Sequence, residues 1–67
     1  MTAQITKSEL DRAYDELMIA ADLVEIAIIE RMPKHVIEKR AEDMHRASAH
    51  LDRLQEMQLE QYEMAVA

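Results

Sequence analysis

The chain has 67 residues and a formal net charge of −6, and it contains neither glycine nor cysteine. Glycine supplies the positive φ angles of tight turns and phosphate-binding loops, so its absence argues against hairpin-rich β folds, P-loops and dinucleotide-binding motifs. The absence of cysteine excludes disulfide frameworks and thiolate metal sites. A chain this short forms one domain over residues 1–67, and a monomer of this size buries only about 60% of its unfolded surface. Self-association or a partner is therefore expected to supplement the core.

The first predicted helix begins with a capping signal and continues as an amphipathic stripe. Thr6 precedes Glu9 by three residues, which is the spacing of a capping box. Ile5 and Leu10 occupy the flanking positions at which a hydrophobic staple forms. The stripe that follows repeats at heptad spacing and predicts packing against a partner helix. Its members are Leu10, Tyr14, Leu17, Ala21, Val24 and Ile28.

Pro33 separates this helix from a second one. Proline removes a helical hydrogen bond and disfavours helical geometry at the preceding residue, so we expect the first helix to span residues 7–31. The second helix is predicted over residues 34–63, with the turn at Met32–Pro33. It carries an apolar stripe of its own, which weakens toward the C-terminus. The stripe comprises Ile37, Ala41, Met44, Ser48 and Leu51, widened by Ala47 and Leu54 and continued by Leu59 and Tyr62.

The predicted fold is all-α, an antiparallel two-helix hairpin with frayed ends at residues 1–5 and 64–67. Residues whose numbers add to about 66 should face each other, with large side chains opposite small ones. Because a single hairpin has a small core, we expect it to assemble as a dimeric four-helix bundle. The alternative is one helix kinked at Pro33, which would also need an oligomer to bury its stripe.

A further apolar cluster lies outside the predicted stripe of the first helix. At about 100° per residue, Ile19, Leu23 and Ile26 lie on its opposite side. Ile29 lies on a flank of the same helix. Contiguous exposed apolar patches generally mark interaction sites. Two interpretations remain open: the cluster is the core of a homodimer, or it is a docking groove for a helix of another protein.

Basic side chains form a stripe on the second helix, away from its apolar stripe. Lys39, Arg46 and Arg53 recur at every seventh residue, and His50 joins them. Such charges commonly form a solvated face with salt bridges that set helix register. As a functional surface, with Met57 near its C-terminal end, the stripe would face an acidic protein or a nucleic acid.

The predicted dimeric hairpin resembles the Rop-type plasmid regulators, which are two-helix hairpins that dimerise into a four-helix bundle and bind RNA. The resemblance is one of architecture, and it would assign RNA binding to Lys39, Arg46 and Arg53. The net charge of −6 argues against this, because nucleic-acid phosphates repel an acidic protein. A Rop-like RNA-binding dimer is therefore an alternative function, and nucleic acid is not the expected partner.

The second helix also contains one motif of metal-ligand type. Glu42 and His45 form Glu-x-x-His, the pair that facing helices contribute to carboxylate-bridged di-iron sites in ferritin-like bundles. A ferritin-like metal-binding half-bundle is thus a second alternative. Glu42 points away from the predicted stripe, where a ligand stays solvated unless a dimer covers it. No metal and no other cofactor is therefore expected.

The sequence gives no support for catalysis or for insertion into a membrane. Cysteine is absent, and no serine has a natural arrangement of histidine and carboxylate around it. The longest apolar stretch, Leu17–Ile29, is too short to span a bilayer and contains Asp22 and Glu25. The N-terminus lacks an apolar signal segment, which predicts a cytoplasmic protein. The predicted function is a small non-enzymatic protein–protein interaction module, such as a regulator, inhibitor, adaptor or chaperone, that acts through a helical surface.

Overall fold

The structure is a computed structural model that describes residues 5–66. It consists of two helices, α1 (Lys7–Ile29) and α2 (Lys34–Val66), which pack against each other as an antiparallel hairpin. No strand occurs within residues 5–66. The rod measures 51 × 18 × 16 Å, and its long dimension is that of α2 at about 1.5 Å per residue. The predicted all-α hairpin is confirmed.

Thr6 begins α1 as the capping signal predicts. Its Oγ1 accepts a hydrogen bond of 3.2 Å from the backbone N–H of Glu9, one of the amides that a helix start leaves without an intrahelical partner. Ile5 and Leu10 both pack against the buried cluster between the helices. The backbone N–H of Ile5 also donates to Oε1 of Gln61 at 3.2 Å, which ties the beginning of the hairpin to α2. These two residue numbers add to 66, so the predicted antiparallel register holds at the open end.

The end of α1 is formed by the backbone around Arg31, two residues before the proline. The N–H of Arg31 donates to the carbonyl of Ile28 at 3.1 Å, and the N–H of Met32 donates to the carbonyl of Ala27 at 2.9 Å. These two bonds define a Schellman motif, which satisfies carbonyls that a helix end would leave unpaired. Arg31 has φ = 54°, in the left-handed region that glycine adopts most easily. The sequence attributed the stop to Pro33 alone because it offered no glycine for this position.

Pro33 acts on α2 rather than on α1. Its carbonyl oxygen accepts hydrogen bonds from the N–H groups of Val36, at 3.0 Å, and Ile37, at 3.2 Å. Proline therefore stands at the N-cap of α2, where its missing N–H has no helical bond to make.

The C-terminal part of α2 remains helical past the predicted end at residue 63. The helix includes residues 64–66, where fraying was expected. The fraying predicted for residues 1–4 and for Ala67 lies outside the described residues.

Replacing Arg31 by glycine should stabilise the fold. A residue with a Cβ atom in the left-handed region costs about 1 kcal/mol, whereas glycine removes that cost and gives up a little more freedom on folding. We expect Arg31→Gly to raise the free energy of unfolding by about 0.5–1 kcal/mol, measured by urea denaturation at fixed protein concentration. The control is Arg31→Ala, which keeps the Cβ atom. An equal gain from alanine would mean that the arginine side chain, and not the backbone angle, limits stability.

A narrow seam of alanine and leucine side chains joins the two helices. Ala27 is 0% exposed and Leu51 is 5% exposed, and both lie where the helices meet. Ala13 is buried in one cluster with Leu51 and Leu54. Ala20 is half-buried midway along α1, so an alanine returns at every seventh residue on this side of the helix. Small side chains allow the two backbones to approach closely.

The contact side of each helix is offset from the centre of its predicted stripe, although most members of both stripes are buried or half-buried. Tyr14 and Ile28 belong to the predicted stripe of α1 but are exposed, whereas their neighbours Ala13 and Ala27 are buried. At about 100° per residue, the observed contact side lies about 40–50° from the centre of the predicted stripe on each helix. Tyr14 lies at the edge of the seam, where its hydroxyl accepts a hydrogen bond of 2.9 Å from Nε2 of Gln55. The hairpin therefore leaves four members of the two stripes exposed, namely Tyr14, Ile28, Leu59 and Tyr62.

Candidate interaction surfaces

The hairpin has two broad faces because it is a single layer of two helices. An open cleft of about 410 Å³ on one face is lined by Glu16 of α1 and by Arg46, His50 and Arg53 of α2. Because residues of both helices line this cleft, it shows which side of α1 lies next to which side of α2. We call this surface the Leu23 face, and it comprises Ile19, Leu23 and Ile26 of α1 with Lys39, Arg46, His50, Arg53 and Met57 of α2.

The apolar strip of the Leu23 face is open to solvent. Ile19 is 61% exposed, and Leu23 and Ile26 are exposed to 42% and 43%. The strip is centred about 130° from the contact direction of α1, and Leu23 is its member with a direct link to α2, through the bond from Arg40 to its carbonyl oxygen. Ile29 is also exposed, but it lies about a quarter turn away at the end of α1 and does not lengthen the strip.

The basic stripe of α2 is partly paired within its own helix. Asp43 contacts Nζ of Lys39 at 3.2 Å and Nη1 of Arg46 at 3.6 Å. Pairs this exposed contribute about 0–1 kcal/mol, so they leave both cations available to a partner. Arg53 makes no ion pair within residues 5–66. The sequence predicted salt bridges on this face, and the structure places them along α2 rather than between the helices.

Arg40 is a contributor to the Leu23 face that sequence reasoning missed. It is half-buried on α2, and its Nη1 donates to the backbone carbonyl of Leu23 at 3.0 Å. This bond connects the two helices directly beneath the apolar strip and helps to hold their register. A signal was present in the sequence, because Arg40 lies three residues after Ile37 and four before Met44, at heptad spacing.

The opposite broad face was also missed as a surface. The hydrogen bond between Gln55 and Tyr14 shows that these sides of α1 and α2 adjoin. Tyr62 is 67% exposed here, and with Gln55, Gln58 and Leu59 it lines an open depression of about 520 Å³. We call this surface the Tyr14 face, and it comprises Tyr14, Ala21 and Ile28 of α1 with Ala41, Ser48, Leu59 and Tyr62 of α2. The sequence assigned these residues to the interior stripes.

The motif considered for metal binding does not gather further ligands. Glu42 and His45 are both exposed on α2. The part of the chain that the structure describes contains no group of three or more His, Cys, Asp or Glu residues that could hold a metal ion. The structure therefore adds nothing to the four-residue motif.

One cleft brings together residue types that the sequence did not connect. Ser8, Glu16 and His50 are among the residues that line a cleft of about 280 Å³ at the open end of the hairpin. A nucleophilic serine needs a hydrogen bond to a base, and among the described residues no such bond joins Ser8 to His50. The cleft therefore has the composition of a catalytic site without the contact that activates a nucleophile.

Within residues 5–66, neither helix combines the length and apolar character needed to cross a bilayer. No protein-family model, no curated protein and no solved structure is significantly similar to the chain.

Proposed function

We propose that this chain is a small non-enzymatic protein–protein interaction module that binds another protein through its Leu23 face. The exposure of Ile19, Leu23 and Ile26 as one contiguous strip is the observation that carries the proposal. Such a strip keeps apolar surface in water, and on small proteins contiguous patches of this kind commonly mark binding sites. A module of this type acts as a regulator, inhibitor, adaptor or chaperone.

The charges beside the strip define the chemistry of the partner. Arg46 and Arg53 line a cleft whose α1 side is Glu16, three residues before Ile19, so the Leu23 face combines an apolar half with a largely basic half. The complementary ligand is an amphipathic helix whose apolar stripe is flanked on one side by carboxylates. The apolar contacts supply most of the affinity, whereas the ion pairs mainly orient the ligand and speed its association.

Site-specific photocrosslinking in the source cells tests this proposal. A photoreactive amino acid at Ile19 leaves Leu23 and the basic half intact, and proteins crosslinked to it are identified by mass spectrometry. The same probe at Glu56, which is exposed on the outer side of α2, is the control. We expect a specific partner from position 19 and not from position 56.

The affinity of the purified partner then decides which residues bind it. We expect Leu23→Glu to weaken binding about tenfold or more, because it places a charge in the apolar half. Arg53→Glu should weaken binding and reduce its dependence on salt, whereas Glu56→Gln should leave both unchanged. Equal crosslinking from both positions, or an affinity that does not respond to Leu23→Glu, would contradict the proposal.

A further inference from the structure

We propose that the Tyr14 face is a homodimer interface, on which a second copy of this chain packs to complete a four-helix bundle. This inference goes beyond the proposed function, because it assigns a second surface to a different occupant. It also separates the two interpretations of the exposed apolar residues. The copy covers the Tyr14 face, and the Leu23 face stays open for the other protein.

The direction of the apolar stripes carries the inference. On both helices the stripe is centred about 40–50° away from the neighbouring helix. The hydrogen bond between Gln55 and Tyr14 shows that both stripes are displaced toward the same broad face. In a four-helix bundle each helix has two neighbours at about a right angle, so its apolar side points at the bundle axis, about 45° from either one. The observed displacement is the one expected when a second layer covers the Tyr14 face.

The chemistry of the two broad faces assigns the copy to the Tyr14 face. None of its members is charged, but charged residues share their heptad positions: Lys7 with Tyr14, Lys34 with Ala41, and Glu38 and Asp52 with Leu59. These charges lie toward the ends and margins of the face, and Lys34 pairs with Glu38, so a second copy can cover its middle without stranding an unpaired charge. The Leu23 face, in contrast, carries charged groups in its cleft, namely Glu16, Arg46 and Arg53, and two copies stacked there would have to desolvate them.

The sizes of the side chains suit close packing of two identical faces. Ala21, Ala41 and Ser48 occupy the middle of the Tyr14 face, and larger apolar residues lie nearer its ends. A two-fold axis through the middle would bring small residues together at the centre, where two hairpins approach most closely.

One hairpin exposes more accessible surface than a compact monomer of the same mass would. The accessible area is 5681 Å², whereas a compact monomer of 7.8 kDa exposes about 4,400 Å². The excess of about 1,300 Å² exceeds the area of about 800 Å² that each partner buries in a standard interface. One copy on the Tyr14 face would therefore account for more than half of the excess.

The oligomeric state of exposed-site variants tests the inference. We expect sedimentation equilibrium to show a dimer at micromolar concentration, and Ile28→Glu or Leu59→Glu to raise its dissociation constant by about 100-fold or more. Both side chains are 57% exposed in the hairpin, so the substitutions leave the seam intact. The matched control is Ile19→Glu, which changes a residue of similar exposure on the Leu23 face and should leave the dimer unchanged.

A thiol reporter tests the same interface without adding a charge. The natural chain has no cysteine, so Ser48→Cys and Ile19→Cys each introduce one thiol. Alkylation of the thiol at position 48 should slow about fivefold or more as the protein is concentrated through the dissociation constant, because the dimer buries it. Alkylation at position 19 should not change. This readout decides the matter even if a glutamate variant fails to fold.

Three results would overturn the inference. They are a helical monomer at 100 µM, a dimer that survives Ile28→Glu but dissociates on Ile19→Glu, and thiol protection at position 19 instead of 48. Crosslinking of the partner protein to the Leu23 face is measured separately from the oligomeric state. Failure of the dimer inference and failure of the proposed function are therefore distinguishable.

Discussion

Ala27→Leu is expected to lower the free energy of unfolding by about 3 kcal/mol, at the upper end of the cost of overpacking. Ala27 has no exposed surface and lies where α1 meets α2, so the three extra carbon atoms have no space. Its carbonyl also accepts the hydrogen bond from Met32 that closes the end of α1. A shift of the backbone to admit leucine would disturb both the seam and the turn. In a domain of this size such a loss is a large part of the total stability.

Urea denaturation followed by circular dichroism at 222 nm measures this effect. The matched control is Ala49→Leu, the same chemical change at an exposed position in the middle of α2. Substitutions at exposed positions generally change stability by about 0.5 kcal/mol or less. An unchanged midpoint for Ala27→Leu would show that the helices do not approach through their alanines.

Leu51→Ala is expected to cost about 2–4 kcal/mol, because it truncates one of the two leucines of the buried cluster and leaves a cavity. Leu51 is packed with Ala13 and Leu54, and Ile5, Leu10 and Leu17 close over them. The two helices have few other buried side chains among the described residues, so little remains to compensate. We expect thermal unfolding at fixed protein concentration to show a correspondingly lower midpoint.

Two further variants identify the cause of this loss. Leu51→Met keeps the volume and should cost less than about 1.5 kcal/mol. Ile19→Ala removes a side chain of similar size from the exposed strip and should cost well under half as much as Leu51→Ala. Similar losses at positions 19 and 51 would mean that the strip, and not the seam, carries the core of the fold.

Local signals made the helices and their order predictable. The hydroxyl of Thr6 and the amide of Glu9 are close in any helix that begins there, whatever packs against it. Pro33 likewise restricts only its immediate neighbours, and the turn lies at the predicted place, with the proline at the start of α2. The exposed strip around Leu23 was also predictable, because a helix of known period cannot turn all of its sides toward one neighbour.

The exact direction in which each helix faces its neighbour was not predictable in the same way, although most stripe members are buried or half-buried. A stripe predicted from helical spacing and hydrophobicity gives more weight to large apolar residues such as Tyr14 and Ile28 than to Ala13 and Ala27. The predicted stripe was therefore centred on the larger residues. Alanine contributes little to such a pattern, but it is the side chain that lets two backbones approach. The stripe marks the average direction of everything a helix packs against, and a hairpin supplies only one of those neighbours. The residues of the Tyr14 face were consequently predicted to lie in the interior of the hairpin.

The turn shows the same limit for the backbone. Arg31 adopts a left-handed φ that its residue type does not favour, and the bonds of the Schellman motif hold it there. Glycine would have signalled this position, and the chain has none. Only the requirement that α2 return along α1 selects the conformation.

The sequence by itself determined two helices, their limits to within a few residues, their antiparallel register and an exposed apolar strip. These features follow from hydrogen bonds and periodicities that act within a few residues of the chain. The tertiary structure decided the rotation of each helix, the seam through Ala27, the bond from Arg40 to Leu23 and the division of the surface into two faces. Each of these depends on how closely two backbones approach, and that distance exists only once the helices lie side by side.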